Sequence, residues 1–334
     1  MSGESVLRTW LPGGRLRRNW LHTHRKGSGQ RPESSVCARV HGAHVWRMRN
    51  TARRKSHTDL TGLLRGGSRY VVGGFAALIL LETASPLRRR VERRTVRWTH
   101  NAALGALSAI VVRSCVLTAV FATARWGRRP RGAGLLARVP APLEVPVGLA
   151  LLDASMYAWH RLNHQVPLLW RFHRVHHVDT ELDVSTALRF HPGEQFLSIP
   201  FRALQTLMIG PSPELAVGYE LALQTATAFH HANVRLPVRV DRGLRALLVT
   251  PRMHQIHHSI VPAETDSNWS VIFSIWDRLA ATLRSDNDER HLTIGLPGRA
   301  VAAEPALCHL LRMPFDAPTA THGGPGANGR SVCW

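Results

Sequence analysis

Apolar segments recur at short intervals through the middle of the chain. Residues 1–67 show no sustained apolar period, and five apolar segments follow, at residues 70–83, 101–124, 141–159, 196–210 and 214–231. A helix needs about 20 apolar residues to cross the bilayer core, a length that the second and third segments approach. Buried helices of a soluble protein are the alternative, but three such segments in succession beside arginines favour a membrane protein. The pattern therefore predicts an all-α, multi-spanning helical membrane protein.

The last two apolar segments are joined by a turn, PSP at residues 211–213, which follows a glycine. Pro and Gly interrupt helices, so the two segments are expected to form a helical hairpin. A hairpin that enters and leaves the membrane returns both of its ends to one face. These ends carry His191 on one side and His230 with His231 on the other, and the third segment ends at His160. The histidines are therefore expected on one side of the bilayer.

Basic residues indicate which side this is. The positive-inside rule places the arginines of 88–94 in the cytoplasm, which puts the histidines in a cap at the cytoplasmic face. The basic loop 125–138 opposes this orientation. The domain organisation that we expect is a basic, disordered extension (1–67), a membrane domain (68–315) and a disordered tail (316–334).

The formal net charge is +21, from 43 Lys and Arg against 22 Asp and Glu, which invites an interpretation as a nucleic-acid-binding protein. The basic residues concentrate in one block near the N-terminus and in a second at 88–94. Neither block contains a nucleic-acid-binding motif, and the second flanks apolar segments, as basic residues beside membrane spans do. Nucleic acid is therefore not an expected partner. The four cysteines form no C-x-x-C pair, which indicates neither a disulfide scaffold nor a thiolate metal site.

Histidines recur at helical spacings in three motifs. H-x-x-x-H begins at His160, and H-x-x-H-H begins at His173 and again at His254. Spacings of three and four place side chains on one side of a helix. Crowded imidazoles repel one another when protonated, and a bound cation removes this cost by selecting the neutral form. Two copies of H-x-x-H-H beside the third motif make a chance arrangement a poor explanation.

The number of histidines points to more than one metal ion. A structural zinc site needs only four ligands, whereas the three motifs hold eight histidines. Imidazole binds Zn, Cu, Fe and Ni, so the residues alone leave the metal open. The Glu and Glu-x-x-His set of carboxylate-bridged di-iron proteins is not found. The sequence therefore predicts a histidine-rich di-metal site beside a membrane.

The order of the motifs resembles the sterol desaturase and fatty acid hydroxylase family. The resemblance runs from about residue 70 to about residue 297, and its segments are PLLWRFHRVHH, ELDVSTALRFHP, HHANVRLP, VTPRMHQIHHS and TDSNWSVIFSIWDRL. It implies two iron ions and dioxygen that hydroxylate or desaturate a lipid carbon. It also implies an external electron donor of the cytochrome, ferredoxin or reductase type, because no haem, flavin or nucleotide motif is evident.

The resemblance also implies which residues bind the metal. Nine histidines match by motif: His160, His164, His173, His176, His177, His231, His254, His257 and His258. Two more are candidates, His191 in RFHP and His230 beside His231. The candidates for orienting ligand rings are Asp183, Glu194 and Asp277, and Pro167–Trp170 are expected in a connector between ligand groups. The histidines near the N-terminus, His22, His24, His41, His44 and His57, lie outside the match.

The chain departs from the family pattern at Ser270 and Ala281, where glycine is expected. These departures leave the ligand motifs intact but bear on the fit of the substrate. Two other functions stay open: a membrane zinc protein, hydrolytic or structural, and a membrane-anchored binding protein without catalytic activity. The substrate also stays open among sterols, fatty acyl chains, carotenoids and ether lipids.

Overall fold

The protein is helical throughout the part of the chain that the structure describes. This computed structural model describes residues 60–90, 92–127, 134–285, 292–297 and 304–316, all within the unit Thr58–Trp334. Its α-helices are α1 Leu60–Ala84, α2 Arg94–Val111, α3 Leu117–Gly127, α4 Glu144–Gln165, α5 Pro167–His177, α6 Pro192–Ile209, α7 Pro213–His231, α8 Val238–Leu244, α9 Pro251–His257, α10 Pro262–Thr265, α11 Ile275–Leu279 and α12 Leu307–Arg312. Within these residues β pairing is confined to isolated bridges, so the all-α prediction is confirmed.

Short turns of other helix types connect these elements. A π-helical turn, Val112–Val116, joins α2 to α3 without a break. The 3₁₀ turns are Leu135–Arg138, Ala141–Leu143, Val184–Leu188 and Met313–Phe315. The first helix already begins at Leu60, whereas the predicted extension reached residue 67. The rest of that extension, with its five histidines, and the predicted tail from 317 onward lie outside the described residues.

One prediction about the connections is wrong. Pro167–Trp170 do not form a connector, because Pro167 is the first residue of α5 and only Val166 separates α5 from α4. Proline is well suited to this position, since its φ is already helical and its missing N–H has no partner to lose there. The histidines of α4 and α5 are therefore carried by two helices joined at a sharp corner.

One helix in the described residues, Arg94–Ala124, is long and apolar enough to cross a membrane by length and composition. It has 31 residues and reaches a mean hydropathy of 2.0. The hairpin helices α6 and α7 do not reach the same criterion. Each carries charge within the predicted span, Arg202 in α6 and Glu220 in α7, which lowers its mean hydropathy.

The predicted hairpin is present, with its turn between α6 and α7. Gly210 ends α6 with a φ of +70°, a left-handed conformation that glycine adopts without steric cost. Ser212 caps α7 by accepting a hydrogen bond from the Leu215 N–H at 3.0 Å, and Pro213 is the first residue of that helix. Beside this turn, Leu152 of α4 packs in one apolar cluster with residues of both hairpin helices.

A buried ion-pair network ties α2 to the segment that follows α5. The Arg97 guanidinium donates to both carboxylate oxygens of Asp179, at 2.9 and 2.8 Å, and to Asp183 at 2.8 Å. Glu181 lies 3.5 Å from the same guanidinium. Arg97, Asp179 and Asp183 are all nearly inaccessible to solvent. Because Asp179 comes two residues after His177, this network fixes the end of α5, where the histidines lie.

The backbone at Ala281 is strained, and replacing it with glycine should relieve the strain. Ala281 has a φ of +54°, in the left-handed region that costs a residue with a Cβ about 1–2 kcal/mol. Ala281→Gly is therefore expected to raise the free energy of unfolding by about 1 kcal/mol, after the greater entropy of an unfolded glycine is counted. Thermal unfolding should show this as a higher Tm.

Its neighbour provides a matched control. Ala280 has a φ of −92°, where alanine is unstrained, so Ala280→Gly should lower the Tm. Equal effects of the two substitutions would contradict strain at Ala281.

Candidate metal centre

Nine buried or half-buried histidines form two adjacent groups. One group has five members, His160, His164, His173, His177 and His257, and the other has four, His176, His231, His254 and His258. Within each group the candidate ligand nitrogens all lie within 4.8 Å of one another. These are the nine histidines that the motifs predicted, and each of the two groups is large enough to surround one metal ion.

Helix geometry explains how each H-x-x-H-H motif serves both groups. In α5 the first and last histidines, His173 and His177, are four residues apart and lie in the five-membered group. The middle one, His176, belongs to the four-membered group. At α9 the arrangement is inverted, because His254 and His258 belong to the four-membered group and His257 to the other. Each motif thus presents its three histidines on one side of its helix and divides them between the two groups.

A short segment after α10 orients histidines through its backbone carbonyls. The ring Nδ1 of His257 lies 2.8 Å from the Ser267 carbonyl, and that of His160 lies 2.9 Å from the Trp269 carbonyl. A carbonyl oxygen only accepts, so each Nδ1 carries the proton and donates it. The Nε2 atom of each ring is then left with a lone pair, which is the form that binds a metal ion.

Two other ligand rings are fixed in the same way. His231 Nδ1 lies 2.7 Å from the carbonyl of Thr227, one turn earlier in α7. His173 Nδ1 lies 3.1 Å from Glu194 Oε1 on α6, so Glu194 takes the orienting position that the sequence suggested. Carboxylate or carbonyl partners of this kind hold the ring of a metal-binding histidine in place and increase its basicity.

The nitrogen positions fit bound metal ions. In the four-membered group the Nε2 of His231 lies 3.0 Å from those of His176 and His254, and His254 Nε2 lies 3.2 Å from His258 Nε2. Two nitrogens that bind one ion at about 2.1 Å are separated by roughly 3.0–3.4 Å, so these spacings suit a shared ion. In the other group the buried Nε2 atoms of His173 and His257 make no hydrogen bond in the described structure.

The protonation state of the cluster also suits metal binding. Burial, followed by repulsion from His173, lowers the pKa of His160 to about 3. Burial is also the main reason that the pKa values of His176 and His257 lie well below their usual range. These rings are therefore neutral near pH 7, and a neutral imidazole keeps a lone pair for a metal.

Two buried carboxylates fix the segment that supplies the carbonyls. Asp277 accepts hydrogen bonds from the backbone N–H groups of Trp269, at 2.9 Å, and Ser270, at 3.0 Å. Asp153 of α4 accepts from the Phe273 N–H at 2.9 Å and from the Trp276 indole at 2.8 Å. Asp277 thus affects the histidine rings indirectly, because it fixes the segment whose carbonyls orient them.

Asp153 was not among the sequence candidates. It is the only charged residue in the middle of the apolar segment 141–159, and that position was the only signal that the sequence offered for it.

The remaining candidates have other partners. Asp183, suggested as an orienting group, pairs with Arg97 and accepts from the Trp98 indole at 3.1 Å. His230 lies outside both groups, although its ring is only 4.0 Å from that of His254 between centroids. Its Nδ1 donates to the Val271 carbonyl at 3.1 Å, which ties α7 to the same carbonyl segment.

His191 caps α6 and lies outside both groups. Its Nδ1 accepts from the Gly193 N–H at 2.9 Å, and its Nε2 lies 3.2 Å from the Leu311 carbonyl. Both ring nitrogens are therefore engaged. Asparagine is a good helix N-cap, so His191→Asn should keep the full metal content of the protein. Metal analysis should show a loss for His173→Asn under the same conditions, and a loss for His191→Asn would show that His191 binds metal.

A cavity opens beside both groups of histidines. Together with the solvent-filled space at its mouth it encloses about 950 Å³, and its wall includes His160 and His173 from one group and His176, His231 and His254 from the other. Apolar side chains, Val112, Val116, Met156, Trp159 and Leu223, line much of the remainder. Val112 and Val116 belong to the π-helical turn, an irregularity that is frequent at functional sites. An apolar molecule in this cavity would lie directly beside both groups of histidines.

The comparisons with known proteins assign the family. The fatty acid hydroxylase family model matches residues 145–282, which include all nine histidines of the two groups. The cholesterol 25-hydroxylase-like protein of Danio rerio is 30% identical over an alignment of 224 residues that covers 61% of this chain and 83% of that protein. The chain belongs to the fatty acid hydroxylase family. The resemblance that the histidine motifs indicated is therefore confirmed.

Other relatives in the fatty acid hydroxylase family match shorter regions. The ornithine lipid hydroxylase of Rhizobium tropici is 32% identical over 162 residues, 48% of this chain and 47% of the relative. The alkylglycerol monooxygenase of Danio rerio is 34% identical over 139 residues, 41% of this chain and 30% of the relative. The chain thus spans about half the length of the first and about a third of the second. No solved structure matches it.

Proposed function

We propose that this protein is a multi-spanning membrane enzyme that uses two iron ions and dioxygen to hydroxylate a lipid. The observation that supports this most directly is the pair of histidine groups that border one largely apolar cavity. Family membership adds that relatives are named as lipid hydroxylases and monooxygenases. In this proposal the histidine cap faces the cytoplasm, and the helix Arg94–Ala124 is one of several spans.

The nine histidines would hold the iron, and iron with dioxygen would supply the oxidising power for a C–H bond. The balance of the reaction is RH + O₂ + 2e⁻ + 2H⁺ → ROH + H₂O, in which the lipid carbon is oxidised and dioxygen is reduced. The two electrons come from an external donor of the cytochrome, ferredoxin or reductase type. Removal of a second hydrogen in place of hydroxylation would give an alkene.

The protein's own residues have three tasks in this reaction. The carbonyls of Ser267 and Trp269 and the Glu194 carboxylate keep ligand rings in position. The apolar wall, with Trp159 stacked on Phe201 at 4.8 Å, would align a lipid chain and exclude water from the reacting carbon. No side chain has to act as a nucleophile, because the reaction forms no acyl or phosphoryl intermediate.

Lipid extracts of cells with and without the gene, grown under ¹⁸O₂, test the proposal. A lipid that is heavier by one ¹⁸O atom should occur only where the gene is present. A new double bond without added oxygen would indicate desaturation. The absence of any gene-dependent oxidised lipid would contradict both.

Two other functions predict different results. A zinc protein, hydrolytic or structural, would purify with stoichiometric zinc and show no oxygen-dependent turnover. For a binding protein without catalytic activity, His176→Ala and His257→Ala would leave its cellular effect unchanged, whereas the hydroxylase should lose its effect with either substitution.

A further inference from the structure

The wall of the cavity includes a buried ion pair in addition to the histidines. Arg202 of α6 and Glu220 of α7 contact each other, and both line the cavity wall. Their side chains are only 5% and 19% exposed. Burying a charged pair is costly even when the partners neutralise each other, and in a membrane segment ionisable residues usually mark a functional site. The pair lies within the two predicted spans of the hairpin, so its position calls for a functional explanation.

Along α7, Glu220 of the pair lies about three turns before the histidines. Glu220 precedes His230 by ten residues, which corresponds to about 15 Å of helix. The α7 positions between them that line the cavity, Leu223, Gln224 and Thr227, recur at helical spacing and form one stripe from the pair to the histidines. A ligand that fills the cavity would therefore contact both the histidines and the ion pair.

The guanidinium has hydrogen-bonding capacity left for a ligand. Besides Glu220, its partner in the described structure is the Met156 sulfur, at 2.9 Å, which is a weak acceptor. Arginine has five N–H donors, and a carboxylate accepts several hydrogen bonds. Because the two charges already cancel, a further charge would be left unbalanced. A neutral group that both accepts and donates, such as a hydroxyl or an amide, fits between them.

We infer that Arg202 and Glu220 form a recognition subsite for a neutral hydrogen-bonding group of the lipid substrate, remote from the carbon that is oxidised. The inference rests on the proposed function for the identity of the ligand as a lipid substrate. It selects lipids that carry a hydroxyl or an amide away from the reacting carbon and disfavours plain hydrocarbon chains.

Binding of a matched pair of probes tests the subsite. Octadecan-1-ol and octadecane differ by one hydroxyl, and both can compete with tritiated octadecan-1-ol on the metal-loaded, detergent-purified protein in a scintillation proximity assay. The wild-type protein should bind the alcohol at least about tenfold more tightly, since a hydrogen bond to a charged group contributes that much or more. Equal binding of the two probes would overturn the inference.

The double variant Arg202→Met with Glu220→Gln removes both charges and leaves no unpaired one. It should lose the preference for the alcohol and keep the affinity for octadecane. The control is Gln205→Met on the same helix, which loses hydrogen bonds to Leu152 and Ser155 but does not line the cavity, and it should keep the preference. A double variant that still prefers the alcohol would show that the pair is structural. If that variant does not fold, equal binding of the two probes to the wild-type protein would still overturn the inference.

The assay separates this inference from the proposed function. Binding requires neither dioxygen nor electrons, so a protein that prefers the alcohol but never oxidises a lipid would retain the subsite and lose the hydroxylase. A protein that oxidises lipids but binds the two probes equally would retain the hydroxylase and lose the subsite.

Discussion

Replacing His254 with alanine should reduce the bound metal from two ions per chain to about one and nearly abolish lipid oxidation. The His254 Nε2 lies 3.0 Å from that of His231 and 3.2 Å from that of His258, so its removal takes a central ligand from the four-membered group. The five-membered group keeps all of its members. Removal of a group that merely orients a ligand lowers metal affinity or activity about 10- to 100-fold. Loss of the ligand itself should therefore lower them by more than about 100-fold.

Metal analysis and turnover of the purified variant measure this effect, and His309→Ala is the matched control. His309 is exposed and belongs to neither group, so its replacement should leave two ions and full activity. Two retained ions in His254→Ala would contradict the assignment of the four-membered group.

Replacing Arg97 with methionine should lower the free energy of unfolding by about 3–5 kcal/mol. The substitution keeps much of the side-chain volume but leaves Asp179 and Asp183 buried without their cation. Uncompensated charges in a buried site are among the largest single causes of instability. Because Asp179 follows the last histidine of α5 closely, metal affinity should fall as well.

Thermal unfolding in detergent gives the size of this effect. The control is Arg161→Met, at an exposed arginine that makes a cation–π contact with the Trp269 ring at 5.1 Å. Exposed positions of this kind change stability by less than about 0.5 kcal/mol. A similar, small effect of both substitutions would show that the Arg97 network does not stabilise the fold.

The sequence predicted the ligand residues better than their arrangement. Spacings of three and four identified eight of the nine histidines, because helical periodicity is local in the chain, and the family resemblance added His231. Their division between two groups depends on how α5 and α9 face each other, and nothing local determines that. His191 and His230 shared the sequence context of the ligands but have other partners, a helix N-terminus and a backbone carbonyl.

The groups that orient the rings were the hardest to foresee. The carbonyls of Ser267 and Trp269 are backbone atoms, which every residue has, so no residue type marks them. Asp153 acts across more than a hundred residues of sequence on Phe273, a contact that only the packed fold creates. At Ala281, by contrast, the family pattern anticipated glycine, and the positive φ gives the physical reason for it.

The number and identity of metal ions in protein purified without added metal test the central claim most directly. Two histidine groups of five and four members should give two iron ions per chain by mass spectrometric metal analysis. A single ion, or stoichiometric zinc in a protein that shows no oxygen-dependent turnover, would contradict the account.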